Sequence, residues 1–207
     1  MREKKKAAPI TEIEFPKHYF VLGADLSLTR PGFALLDIEN INGKAVINSV
    51  KLGNVDNKTK RNKSHGQLLA EILDYLTYIF MPLSDVVEKT PIFFVREKEI
   101  MHLKIPSERS VTKVVGIMDW QAYVLYKSLN DDKKFNGIWY EIYPVSIKSL
   151  IGGSGKADKQ QVADGLDYYL GKQEYSCDDE SDAAAVAVAW LIQHGQIDRK
   201  EQKVNGS

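Results

Sequence analysis

The chain has 207 residues, with 28 acidic and 28 basic side chains and a formal net charge of zero. This length accommodates one α/β domain with a full core, and the charge balance argues against a protein that coats nucleic acid through bulk charge. The single cysteine excludes an intrachain disulfide, and no apolar run reaches the length of a membrane span. The basic start lacks the apolar segment of a secretory signal. These features predict a protein of the reducing cytoplasm.

Polar ends around one apolar body predict a single domain. Residues 1–16 read as a polar, basic arm, residues 17–196 as the domain, and residues 197–207 as a solvated tail. The predicted elements, in chain order, are strands at 18–26, 32–38 and 44–53, a helix from 64 to about 80, a strand at 91–100, a helix from 107 to about 129, a strand at 137–145, a helical turn at 146–151 and helices at 158–170 and 178–194.

The first three predicted strands are joined by a Thr-Arg-Pro-Gly turn and an Asn-Gly turn, which is typical of an antiparallel meander. Helices and strands alternate after them. This order predicts an α/β fold with a five-stranded mixed sheet, three strands antiparallel and two parallel, flanked by helices on both faces. The first strand lies centrally in this prediction.

Four acidic residues are predicted to meet at one edge of this sheet. Asp25 ends the first strand, and Glu97 ends the fourth, so neighbouring parallel strands place both at the edge where open α/β sheets carry their sites. Asp179 and Asp182 lie three residues apart on the last helix and share one face. The alanine-rich sequence after them allows this helix to approach the sheet closely.

Carboxylates crowded together are costly unless a cation neutralises them. Oxygen ligands without neighbouring cysteine or histidine suit Mg²⁺, for which Mn²⁺ can substitute. Two such ions ~3.5–4 Å apart can activate a water and stabilise the leaving oxygen in phosphodiester hydrolysis. Each acid also has a plainer interpretation: Asp25 as the start of a turn, Glu97 as a solvated charge, and Asp179 and Asp182 as partners of the helix dipole, as Asp178 and Glu180 are predicted to be.

Four segments resemble, in the right order, the motifs of the RuvC-type Holliday junction resolvases. "GADLSLTRPGFALLD" is similar to their first motif, and "FFVREKEI" to the strand that delivers a glutamate. "YPVSIKSLIGGSGKADKQQV" resembles their lysine- and glycine-containing segment, and "DESDAAAVAVA" their closing helix. The resemblance covers about residues 20–193. It implies an RNase H-like fold, a homodimer, Mg²⁺ dependence and paired nicking of four-way DNA junctions.

Carried over by position, the resemblance assigns roles to particular residues. Asp25, Glu97, Asp179 and Asp182 would be the catalytic, metal-binding acids, with Lys148 and Lys159 facing phosphate near them. Glycines within residues 152–155 would let the backbone approach a phosphate. The lysines and arginine predicted to contact DNA are Lys98, Lys104, Arg109, Lys113, Lys148, Lys156 and Lys159, with a solvated surface charge as the alternative for each lysine near the site.

The chain also departs from the bacterial pattern. Ile100 stands where an aromatic residue is usual, three residues past the glutamate, and the glycine-rich loop is one residue longer. These departures favour a divergent, phage-type member and leave a branch-migration helicase partner open. Without a ring at position 100, we expect strong selectivity for branched DNA, including forks and flaps, with weak sequence preference.

The helix at 107–129 is apolar on more than one face, which makes it the candidate dimer interface; the alternative is a helix buried within its own domain. Three other functions stay open at this stage. An ATPase of the actin and sugar-kinase class would need a second domain for which the chain has no room. A non-catalytic nucleic-acid module would not need four acids, and an RNase H-like nuclease on another substrate would share them.

Overall fold

The computed structural model describes residues 13–57, 63–87, 90–98, 106–128 and 139–200. Its strands are β1 (His18–Asp25), β2 (Gly32–Ile41), β3 (Lys44–Asn54), β4 (Ile92–Glu97) and β5 (Tyr140–Ile142), and its helices are α1 (His65–Val87), α2 (Pro106–Ser128), α3 (Pro144–Ile151), α4 (Lys159–Leu170) and α5 (Asp178–Gln193).

The five strands form one mixed sheet in the order β3-β2-β1-β4-β5. Strands β1, β2 and β3 pair antiparallel, whereas β4 runs parallel to β1 and to β5. The predicted fold class is therefore confirmed, with β1 at the centre. The carboxyl ends of β1, β4 and β5 lie at one edge of the sheet, which is where the acidic residues were predicted to meet.

Helices cover both faces of the sheet, and β1 contributes alternate side chains to the core on each face. Tyr19 and Val21 pack on the face covered by α3, α4 and α5, and Phe20 and Leu22 on the face covered by α1 and α2. This period of two is the expected pattern for a strand buried on both sides. The sheet is thus a rigid support for residues at its edge.

The largest differences in length from the prediction are in α1 and β5. The helix predicted to end near residue 80 continues to Val87, because a proline costs a helix one hydrogen bond and a local kink but does not by itself set its end. Within the described residues the last strand covers Tyr140–Ile142, and it ends there because Pro144 starts α3 directly afterwards.

The described parts of the arm and the tail contact the domain. Phe15 packs against Tyr19 and Trp190, with ring centroids 5.4 and 5.6 Å apart, respectively. At the other end of the domain, Ile197 packs on the same core, and Arg199 donates a hydrogen bond of 2.6 Å to the carbonyl oxygen of Ser149. The domain boundaries themselves stay a prediction.

Candidate active site

Strand register places Asp25 and Glu97 side by side. Ala24 of β1 pairs with Arg96 of β4 in parallel, so the next residue on each strand ends at the same edge. Adjacent strands are about 4.8 Å apart, which brings the two carboxyl-bearing side chains within reach of one ion. β1 is apolar from Tyr19 to Ala24 and β4 from Ile92 to Val95, with Arg96 between the apolar run of β4 and Glu97.

Two glycines bring the start of α5 against these strand ends. A Cβ atom on Gly23 would lie 2.3 Å from the carbonyl oxygen of Ala183, and one on Gly32 would lie 1.9 Å from that of Asp179. Any side chain at either position would push the helix away. Because α5 is held this close, Asp179 and Asp182 stand next to the carboxyl end of β1.

Electrostatics show that the four acids form one group. Burial, followed by the charges of Asp182, Glu97 and Asp179, raises the pKa of Asp25 to about 7. The pKa of Glu97 is also raised, first by burial and then by Asp182, and that of Asp182 is raised by burial and by its acidic neighbours. The charges of all three other acids act on Asp25, so the four residues lie near the same edge of the sheet, and their role in catalysis stays a prediction.

Two lysines lie close to this group. Lys159 places its Nζ atom 3.1 Å from Oδ2 of Asp178 and 3.8 Å from Oδ2 of Asp182, and its charge lowers the pKa of Asp25 against the larger raising causes. Lys148 acts in the same direction on the pKa of Glu97 and of Asp182. Lys159 is largely exposed, so its ammonium group is available to a ligand as well as to the acids.

The structure describes some of the other predicted DNA-contacting residues but not all of them. Lys98 follows Glu97, while Lys156 and Lys113 are exposed in the glycine-rich loop and on α2. Lys104 lies outside the described residues. Arg109 lies on α2, but its side chain is outside them.

Nothing in the sequence singled out Arg30, yet its side chain lies beside Asp179. Its Nε atom is buried without a hydrogen-bond partner and points to Oδ2 of Asp179 at 3.8 Å, while a terminal nitrogen lies 3.5 Å from Oδ2 of Asp56. The only sequence signal was its place in the turn that follows Asp25. Arg30 therefore offsets part of the negative charge of the acid group.

Glu180 is buried, which differs from its predicted role as a partner of the helix dipole. Its carboxylate accepts hydrogen bonds from Asn54 Nδ2 and Ser176 Oγ, both at 2.8 Å, and from the Ser176 backbone nitrogen at 2.7 Å. These bonds tie the end of β3 and the loop before α5 to the residue next to Asp179. Glu180 thus anchors the first turn of α5, which carries Asp179, to β3 and to the loop before α5.

The donor set fits a hard divalent cation. As the side chains stand, no three acidic, histidine or cysteine residues within the described part of the chain are close enough together to enclose an ion. Repulsion between the carboxylates, and their attraction to Lys159 and Arg30, account for this separation of the acidic side chains. All four candidate ligands are carboxylates carried by strands or a helix, and carboxylate oxygens are the ligands that Mg²⁺ or Mn²⁺ prefers.

An RNase H-like sheet that carries acids from β1, β4 and α5 at one edge is typical of metal-dependent nucleases. No family model matches the chain. It is, however, 30% identical over 179 residues to the crossover junction endodeoxyribonuclease RuvC of Prochlorococcus marinus strain MIT 9301, which covers 84% of this chain and 98% of the relative. The chain belongs to the RuvC family. It is therefore an endodeoxyribonuclease by family, and the predicted resemblance and enzyme class are confirmed.

Other comparisons agree. The RuvC protein of Caldicellulosiruptor saccharolyticus is 25% identical over 185 residues, with 89% of this chain and 99% of the relative covered. A solved structure of Thermus thermophilus RuvC in complex with a Holliday junction substrate superposes with a TM-score of 0.62 at 17% identity, covering 86% of this chain and 98% of that chain. This likeness confirms the fold. Across the described residues, no helix has the length and apolar character needed to cross a membrane.

Proposed function

We propose that this protein resolves Holliday junctions by metal-dependent hydrolysis of phosphodiester bonds, with Asp25, Glu97, Asp179 and Asp182 as the acids of its active site. The observation that carries the proposal is the placement of these acids: Asp25 and Glu97 end adjacent parallel strands, and the start of α5 packs closely against β1 and β2 at this edge. Four acids that share one edge of the sheet repel one another, and a bound cation would offset that repulsion. Family membership supplies the substrate class, because the relatives are named for cleavage at crossover junctions.

The residues of the chain have separate tasks in this proposal. Asp25 and Glu97, on adjacent strands, would hold the ions together with Asp179 and Asp182 from α5. When bound, Mg²⁺, or Mn²⁺ in its place, would activate the attacking water and stabilise the leaving oxygen. Lys148 and Lys159 would balance the charge of the phosphate that enters between them, and Arg30 would keep Asp179 in position.

DNA would be held mainly by phosphate contacts around the acidic edge. In this proposal Lys98, Lys113 and Lys156 would contact phosphates, and Lys104 and Arg109 complete the predicted set. Such contacts supply affinity without reading bases, and they make binding sensitive to salt. This arrangement supports recognition of branch shape, with forks and flaps as further substrates.

The test is a panel of DNAs with one core sequence: a mobile four-way junction, a fork, a flap and a linear duplex. We expect cleavage of the junction to be at least about a hundredfold faster than that of the duplex, with intermediate rates on the fork and the flap. Cleavage should require Mg²⁺ or Mn²⁺ and stop with a chelator. Tight junction binding without cleavage in either metal would instead identify a non-catalytic binding module, and preferred cleavage of RNA would identify another RNase H-like nuclease.

We also propose that the protein acts as a homodimer that uses α2. Val114 and Met118 on this helix are buried, whereas Trp120 is 55% exposed and Tyr123 47% exposed. Exposed aromatic side chains on one helix face are typical of an interface. Paired cuts in a junction with near two-fold symmetry call for two sites related by a two-fold axis.

Replacing Trp120 by Glu should therefore produce a monomer. Loss of a large buried ring and burial of a charge at an interface cost roughly 2–4 kcal/mol, which shifts the dimer dissociation constant by about thirtyfold or more. Sedimentation equilibrium at micromolar concentration measures this shift. Tyr168→Glu, which changes an exposed tyrosine on α4, is the matched control and should stay dimeric. A native protein that is monomeric and fully active would contradict the proposal.

A further inference from the structure

A tyrosine beside the acidic edge is exposed without a packing reason. Tyr143 follows β5 directly and leaves 51% of its surface exposed, and the nearby Val145 is 59% exposed. Neither side chain belongs to the two cores of the domain. Among the predicted elements Tyr143 lies near the end of the last strand, with no role of its own.

The backbone holds Tyr143 next to the site. Ile142 pairs in parallel with Glu97, and the backbone nitrogen of Lys98 donates a hydrogen bond of 2.8 Å to the carbonyl oxygen of Ile142. Tyr143 itself is the residue before α3, and its carbonyl oxygen accepts hydrogen bonds from the backbone of Ser146 and Ile147. Its ring is therefore attached to a rigid point about one strand spacing from the end of β4.

A cation lies against this ring. The Nζ atom of Lys98 is 4.9 Å from the ring centroid of Tyr143 and 3.6 Å from Oε2 of Glu141. A ring and an ammonium group side by side match the two parts of a nucleotide, a flat base and a phosphate.

We propose that Tyr143 stacks on an unpaired base at the branch point while Lys98 contacts the phosphate beside it. This inference rests on the proposed function. Tyr143, directly after β5, would supply the site with the aromatic ring that is absent at Ile100. Because every base has a flat π-face, stacking of this kind holds an unpaired base without reading its identity, which agrees with the expected weak sequence preference.

The test measures stacking directly in the Asp25→Asn background, where the DNA stays uncut. Junctions carrying 2-aminopurine at the crossover report stacking through their fluorescence, and a titration of the same junctions gives the dissociation constant. We expect Tyr143→Ala to lose the fluorescence change and to weaken junction binding by about fivefold or more. Tyr143→Phe should retain both, and Tyr143→Leu, which keeps bulk without a π-face, should lose the fluorescence change.

Tyr168 is a matched control, because it is 59% exposed and Lys200 lies 4.9 Å from its ring centroid, yet it stands on α4 away from β5. Tyr168→Ala should bind as the parent does. A Tyr143→Ala variant with unchanged fluorescence and affinity overturns the inference, as does a Tyr143→Phe variant that behaves like Tyr143→Ala. If the parent binds junction no more tightly than duplex, the proposed function fails as well, so the two failures are distinguishable.

Discussion

Asp25→Asn and Glu97→Gln should each lower the rate of junction cleavage by at least about a thousandfold. Each change removes one charged oxygen ligand while keeping the size of the side chain, and the stabilisation that a divalent cation supplies is worth several kcal/mol in the transition state. Junction binding should change little, because affinity comes from lysine and arginine contacts to phosphates outside the acid group. The measurement is single-turnover cleavage at saturating protein, with binding followed on the same DNA.

Asp178→Asn is the appropriate control for these variants. Asp178 lies on the same first turn of α5 and forms an ion pair with Lys159, but its side chain is exposed and is not among the charges that act on Asp25. Cleavage by this variant should stay within about fivefold of the native rate, as expected for an exposed ion pair. A near-native rate for Asp25→Asn or Glu97→Gln would contradict the assignment of the acids, whereas a loss of binding would indicate that these acids support folding instead.

The sheet and its acidic edge could be predicted because their signals are local. Turn residues between short apolar runs predict the antiparallel meander. A carboxylate at the end of such a run is expected at the edge of the sheet. The small residues after Asp182 likewise indicate a helix that approaches the sheet closely. Each of these inferences needs only the neighbours of a residue in sequence.

The environment of Arg30, Glu180 and Tyr143 could not be predicted in this way, since it depends on contacts between distant parts of the chain. Arg30 contacts Asp179, which lies about 150 residues later in the sequence. Glu180 is buried beside Asn54, at the end of β3. Tyr143 reads in the sequence as the end of a buried strand. Its exposure follows from the early start of α3, which no pattern of hydrophobic residues reveals.

The Asp25→Asn change should also stabilise the protein in the absence of divalent cations. The folded state raises the pKa of Asp25 from 3.8 to about 7, so between these values the folded protein keeps a proton that the unfolded chain has lost. The unfolded state then binds fewer protons, and the contribution of Asp25 to the free energy of unfolding falls as the pH rises through this window. Asparagine cannot ionise and avoids this loss.

We therefore expect the variant to match the native protein near pH 4 and to exceed its free energy of unfolding by about 2 kcal/mol at pH 8 in a chelator. Urea denaturation across this range provides the measurement, and Asp164→Asn, which changes an exposed acid of α4, should follow the native curve. Mg²⁺ should stabilise the native protein more than the variant, because only the native acid group is complete. The difference in the free energy of unfolding between the variant and the native protein should grow from pH 4 to pH 8. If it does not, burial and the neighbouring acids do not disfavour the charged form of Asp25, and the proposed cation site loses its electrostatic basis.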